Sequence, residues 1–283
     1  MPTVVDYVRR PDKRNTRRGV LGAVGAAITV GLAGCAGVTE QDREETDVEY
    51  TVSESVDRLS LDVGDADVTV DSWDNSAVQI AATKYAIGQT ELSEVSVTRE
   101  IVDGALTVGV ERNDSIQFGT VGGGAETLDV RVPSGVQIDE IDAADGEITV
   151  GDVPGRLDLT VDDAAVSATG PEAVRGELGD GSLEVTTPAT VGDVTGDDAE
   201  IDLTVADTDG EAAITIDDGR VTARLASGLD ATVVVETDAT VDGLDTLDGV
   251  ETNGEASITG RVGDGGDELR IAGDDAVVDL RSA

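Results

Sequence analysis

Asp145-Gly146-Glu147-Ile148-Thr149-Val150 sets a pattern that the second half of the chain repeats. An Asp or Asn is followed by Gly or Ala, and then by aliphatic or Ala residues at alternate positions. The pattern returns as Asp163-Ala164-Ala165-Val166-Ser167-Ala168, Asp180-Gly181-Ser182-Leu183-Glu184-Val185 and Asp198-Ala199-Glu200-Ile201-Asp202-Leu203. Later copies begin at Asp218-Gly219, Asn253-Gly254 and Asp275, with a weaker one at Asp238. From Asp145 the steps are 18, 17, 18, 20 and 20 residues, followed by 15 and 22. An earlier copy, Asp65-Ala66-Asp67-Val68-Thr69-Val70, lies in the first half. Gly and Asp suit a positive-φ corner, and alternation at period two marks a strand with one buried face.

The same alternation extends outward from Val48, as in Leu59-Ser60-Leu61-Asp62-Val63, Leu157-Asp158-Leu159-Thr160-Val161 and Val277-Val278-Asp279-Leu280. No stretch after residue 35 keeps helical spacing, so the expected class is all-β. A short period with turn punctuation predicts a β-solenoid, in which coils of about 18–20 residues bury their inner faces against each other. The inward residues are Val, Leu, Ile and Ala, and aromatics make up 2% of the chain. That composition suits a narrow interior; an immunoglobulin-like sandwich is the alternative. The solenoid is expected over 133–283. Residues 48–132 hold Trp73, Phe118, Tyr50, Tyr85 and a glycine loop at Gly119 to Gly124, and are expected to form an N-terminal β capping region or the first coils. Trp73 reads either as a sugar-stacking platform or as a core residue beside a turn.

The first 35 residues carry a separate signal. Thr16-Arg17-Arg18-Gly19-Val20-Leu21 leads into an apolar run that ends in Leu32-Ala33-Gly34-Cys35. This order resembles a twin-arginine export signal, with Arg17 and Arg18, closed by a lipobox of Leu32, Ala33, Gly34 and Cys35. The run from Val20 to Gly34 falls short of the roughly 20 residues that a membrane-spanning helix needs. The resemblance implies that Cys35 takes a diacylglyceryl group and becomes the first residue after cleavage, with the protein held on the outer face of the cytoplasmic membrane. Residues 36–47 then read as an acidic tether.

Lys and Arg total 19 against 60 Asp and Glu, a formal net charge of −41. Six of the bases and two of the acids fall within residues 1–35, which leaves 13 against 58 in the remainder. Lys84 is the lone lysine of that remainder. A chain so acidic and so poor in lysine and aromatics resembles proteins of extreme halophiles, whose carboxylates are screened at molar salt. Nucleic acid is excluded as a partner.

The chain has no histidine, and Cys35 is its single cysteine. Ser-His and Cys-His catalysis are therefore excluded, along with the commonest metal ligand. Ser-Lys chemistry would rest on Lys84 alone. Gly119 to Gly124 is no phosphate loop, because no Lys-Ser/Thr pair follows it. The acid pairs Asp162/Asp163, Asp197/Asp198, Asp217/Asp218 and Asp274/Asp275 are the candidates for glycoside cleavage. As residues recurring at turns they read better as a solvated surface. Stacked Asp turns also offer oxygens to calcium, but neither the EF-hand nor the glycine-rich nonapeptide spacing is present.

Four elements together resemble the putative-adhesin family of β-strand-repeat proteins. They are Val70-Asp71-Ser72-Trp73-Asp74-Asn75-Ser76-Ala77-Val78, Val130-Arg131-Val132-Pro133-Ser134-Gly135-Val136, the Asp-Gly-x-Ile-x-Val copies, and Gly265-Gly266-Asp267-Glu268-Leu269-Arg270-Ile271. The resemblance covers about 48–283 and implies a β-solenoid at the cell surface; it brings no catalytic residues and no cofactor. The expected function is a membrane-anchored, non-catalytic surface lipoprotein that presents a rigid face to a surface glycan or envelope protein. The alternative is a secreted carbohydrate-active β-helix enzyme using paired Asp residues. The corners at Asp145, Gly146, Asp180, Gly181, Asp218, Gly219, Asn253 and Gly254 are expected to line up.

Overall fold

The computed structural model describes residues 43–88, 90–112, 122–253 and 257–283. The first strands are β1 (Arg43–Val52), β2 (Arg58–Asp65), β3 (Asp67–Trp73), β4 (Val78–Ile87), β5 (Val95–Val102), β6 (Ala105–Arg112) and β7 (Gly122–Pro133). Longer strands follow: β8 (Gln137–Gly151), β9 (Gly155–Ala168), β10 (Ala173–Leu178), β11 (Gly181–Thr208) and β12 (Ala212–Leu225). The remainder are β13 (Ala231–Thr237), β14 (Val241–Asp242), β15 (Asp248–Thr252), β16 (Ser257–Val262), β17 (Asp267–Gly273) and β18 (Asp275–Ser282). The class is all-β: the only helical turns among the described residues are 3-10 turns at Leu92–Glu94 and Leu244–Thr246.

The strands pair mainly in parallel, and each long strand bends at its acidic corner to serve two ladders. Before the corner, β2, β8, β9, β10, β11, β12, β17 and β13 stack in one ladder. After the corner, β3, β8, β9 and β11 stack in the other, followed by β11, β12, β18 and β14. β11 visits both ladders without a break, which accounts for its 28 residues.

Alternation decides which side chains lie between the ladders. In the first ladder Leu61, Ile141 and Leu159 stack inward, and beyond them Val194, Ile214, Ile271 and Val235. All seven are at most 2% exposed. The second ladder contributes Val68, Ile148, Val166 and Leu183 in one register run and Ile201, Val221 and Val278 in another. One hydrophobic cluster runs from Val52 to Leu280. Each such side chain contributes about 1.5–3 kcal/mol by leaving water, so the shared interior carries the stability that no single repeat could supply.

Two features differ from the sequence reading, the tether and the glycine loop. The expected tether, 36–47, gives way at Arg43 to β1, which pairs antiparallel with β4. Thr46, Val48 and Tyr50 already alternate inward there, and Arg43 bonds Glu126 and lies over the Tyr85 ring. Within residues 48–132, expected as first coils or a cap, β2 and β3 lie in the two ladders directly beside β8. The covering is done by β6 and β7, flanked by antiparallel β5, β4 and β1. Gly122 to Gly124, expected in a loop, pair with Ile87 to Tyr85 as part of β7; residues 119–121 and Phe118 lie outside the described residues.

Candidate functional site: an acidic corner column and a dented face

The corner aspartates form a column along the stack. Asp65 is opposite Asp145, and Asp145 is opposite Asp163. The pairing of Ala165 with Ser182 sets Asp163 beside Asp180, and that of Leu178 with Gly196 carries on to set Asp180 beside Asp198. Asp198, Asp218 and Asp275 continue it in register. Adjacent strands lie about 4.8 Å apart, so each carboxylate within the column has a like charge on either side. Asp218 shows the effect: partial desolvation, and then the charges of Asp198 and Asp275, raise its carboxyl above the usual range.

One residue along the chain, the column alternates. Ala66, Gly146, Ala164, Gly181, Ala199, Gly219 and Ala276 occupy successive positions. The four alanines point inward and are at most 2% exposed. A Cβ on Gly146, Gly181 or Gly219 would lie within 3.0 Å of the carbonyl oxygen of Ala66, Ala164 or Ala199, nearer than real Cβ atoms come. Gly146 and Gly219 also have φ of 117° and 116°. Gly181 does not share that positive φ, so close approach of backbones, rather than a left-handed corner, is what these glycines have in common.

The other anticipated residues are placed as follows. Asn253 is not in the column; it closes the β15–β16 hairpin, its backbone N–H donating to Ser257 O at 2.8 Å. Antiparallel strands need a tight return, and an Asn serves that as readily as a corner. Gly254 and the whole signal, with Arg17, Arg18, Leu32, Ala33, Gly34 and Cys35, lie outside the described residues. The four acid pairs all sit at exposed corners. Trp73 is half-buried and donates its indole N–H to Ala77 O at 3.0 Å, tying the turn before β4. Lys84 Nζ donates to Leu92 O at 3.3 Å and Val95 O at 2.6 Å, and burial lowers its pKa. It pins the 3-10 turn against β4. No three acidic side chains among the described residues converge as a metal ion requires.

A recess lies on the outer face of the first ladder. Inward positions there hold Leu159 and Val194, but the strand between them, β10, has Gly176. A Cβ on Gly176 would fall within 3.0 Å of Leu159 O, so β10 sinks toward β9 as only a glycine permits. β11 answers with a register shift opposite Val174 and Gly176. The dent is open to solvent, offers about 380 Å³ and is lined by Glu140, Asp158, Arg175, Glu177, Asp193 and Thr195, among others. Arg175 bonds Asp158 in bidentate fashion, with Nε and Nη2 each 2.6 Å from a carboxylate oxygen. Such a fork fixes the guanidinium plane and holds it protonated. Glu140, Glu177 and Asp193 are exposed. The dent thus offers hydrogen-bond acceptors, its carboxylates, beside the donors Arg175 and Thr195. The signal that could have revealed it is one residue: Gly176 stands where Val174-Arg175-Gly176-Glu177-Leu178 calls for an aliphatic side chain.

No family model and no curated protein matches the chain. Several solved structures are similar in outline. One, described as a "putative lipid binding protein" from Parabacteroides distasonis, is 17% identical with a TM-score of 0.44, over 83% of this chain and 96% of that one. A "putative adhesin" from Parabacteroides merdae is 14% identical with a TM-score of 0.38, over 84% and 96%. A "putative cell adhesion protein" from Clostridium sporogenes is 12% identical with a TM-score of 0.33, over 86% and 100%.

Proposed function

We propose that this chain is an exported, lipid-anchored β-solenoid that acts as a non-catalytic binding scaffold at the cell surface. The observation that carries the reading is the dent at Gly176: a recess lined by hydrogen-bonding side chains, set on rigid paired strands of an otherwise regular stack. Its carboxylates and the clamped Arg175 suit a polyhydroxylated ligand, a surface glycan, whose hydroxyls both donate and accept. The solenoid reading rests on the two parallel ladders meeting at one aligned corner column. The anchor reading rests on the order of Arg17, Arg18 and the lipobox ending in Cys35. The charge fits an environment of molar salt.

Retention of the chain from residue 36 on immobilised envelope polysaccharide, in molar NaCl, tests this function. Arg175→Ala together with Glu177→Ala should abolish retention, whereas Asp218→Ala, far from the dent, should leave it intact. Equal retention by both variants would sink the recess reading. Release of shortened glycan would sink the non-catalytic one.

A further inference from the structure

From β8 to β12 each repeat stacks on the one before it in sequence. The next in sequence is β13–β14, and its Asp238 follows Asp218 by 20 residues, the same step as from Asp198 to Asp218. Yet β12 does not pair with β13 or β14. Ala212 to Thr215 lie beside Leu269 to Ala272 of β17, and Asp218 to Leu225 beside Asp275 to Ser282 of β18. β13 and β14 take the far side of those strands. The C-terminal repeat is thus a wedge between two repeats that are neighbours in the chain.

Wedge and displaced repeat carry the same inward pattern. Ala212, Leu269 and Val233 are in register, as are Ile214, Ile271 and Val235, and again Val221, Val278 and Val241. Leu269, Ile271, Ala276, Val278 and Leu280 are at most 1% exposed, so the wedge is a full member of the core. Its entry is a single crossing over the end of β13, from Val262 to Asp267, both paired with Ala231. Between them stand Gly263, Asp264, Gly265 and Gly266, with φ of 60° and 75° at Gly263 and Gly265.

We propose that this C-terminal repeat is an exchangeable insert, seated within its own chain here and able to swap reciprocally into the same slot of a second copy. Exchange preserves every ladder hydrogen bond and every buried aliphatic contact, and alters only the glycine crossing; that is the condition under which swapping is cheap. During exchange the exposed edge of β12 has a substitute cover in β13–β14, whose pattern matches, which limits the unpaired edge that would otherwise aggregate.

The test places cysteines across the slot in the Cys35→Ala chain. Arg220 and Val277 are register partners on β12 and β18, so Arg220→Cys with Val277→Cys reports which chain fills the slot. The protein is refolded in molar NaCl over a hundredfold range of concentration and oxidised. The expected result is an intramolecular cross-link when dilute and a covalent dimer that increases with concentration, absent from either single-cysteine variant. An intramolecular cross-link at all concentrations, or equal dimer in the single variants, overturns the proposal. Should that pair fail to fold, Arg224→Cys with Arg281→Cys, also register partners, asks the same question. Deleting Gly265 and Gly266 should raise the dimer fraction several-fold, because the shortened crossing no longer spans β13; an unchanged fraction counts against exchange.

Discussion

Gly219→Ala probes the corner column most directly. The new methyl would sit on the carbonyl oxygen of Ala199, and the residue would have to hold φ at 116°. An L-residue in that region costs about 1–3 kcal/mol. Pushing β12 off β11 weakens ladder bonds on both sides of the corner, on the order of 1 kcal/mol more. The expected loss is therefore about 2–4 kcal/mol, which agrees with large single-residue effects seen elsewhere. Gly181→Ala separates the two causes: Gly181 meets Ala164 O but lacks the positive φ, so its loss should be only about 1–2 kcal/mol. Ala199→Gly, which removes a buried methyl and loosens the backbone, should cost about 1 kcal/mol. Urea unfolding in molar NaCl, followed by far-ultraviolet circular dichroism, reads these differences as midpoint shifts at constant slope. A Gly219→Ala protein within 0.5 kcal/mol of the parent would refute the close-packed corner, on the criterion that neutral surface changes stay within about that range.

The charge column yields a salt prediction: the melting temperature should climb with NaCl up to molar concentration, and a flat response would remove the screening account. Asp218→Asn should stabilise the protein at neutral pH and low salt. Because the folded pKa of Asp218 is raised, its penalty is present above that value and vanishes as pH falls toward 3.8, so parent and variant should converge in acid. Asp279 has the opposite sign: hydrogen bonding from Arg281 lowers its pKa, giving stability above 3.8 that is lost as pH falls through the folded value. Asp279→Asn should thus cost stability at neutral pH and nothing in strong acid, measured by the same melts across pH. Leu203→Ala, at a position 1% exposed, should cost about 2–5 kcal/mol. Cys35→Ala should move the protein from the detergent-extracted membrane fraction to the soluble one.

Much of this was readable from the chain because corner and strand use different residues. Asp145, Asp180 and Asp218 punctuate, Ile148, Leu183 and Val221 alternate, and both signals are local. What was not readable depends on partner choice. The inward residues Val233, Val235 and Val241 differ little in kind from Leu269, Ile271 and Val278, so nothing in the pattern says which repeat should cover β12. The irregular steps of 15 and 22 residues after Asp238 arise because Asn253, counted as a corner, lies in the β15–β16 hairpin. Asn253 misled for a related reason, since an Asn before Gly signals a hairpin as well as it signals a corner. The start of β1 was hidden because Thr46, Val48 and Tyr50 alternate among acids, and an edge strand needs only a thin apolar stripe.

The proposed location of binding rests on the same separation of inward and outward positions. In a stack whose interior is fixed by aliphatic alternation, outward positions are less constrained by folding, and here they carry Asp, Glu, Thr, Ser and Arg. The proposed binding place is one where the repeat departs from itself and the departure is built into the backbone. Gly176 is such a place: it replaces an inward aliphatic residue, draws β10 against Leu159, shifts the register of β11 and leaves a fixed guanidinium at the rim. Gly176→Val supplies the critical comparison. Val matches the inward residues on either side, so a merely decorative dent would tolerate it with little loss of glycan retention. If the recess is the binding surface, the added side chain must push β10 outward, erase the hollow and abolish retention even in molecules that remain folded.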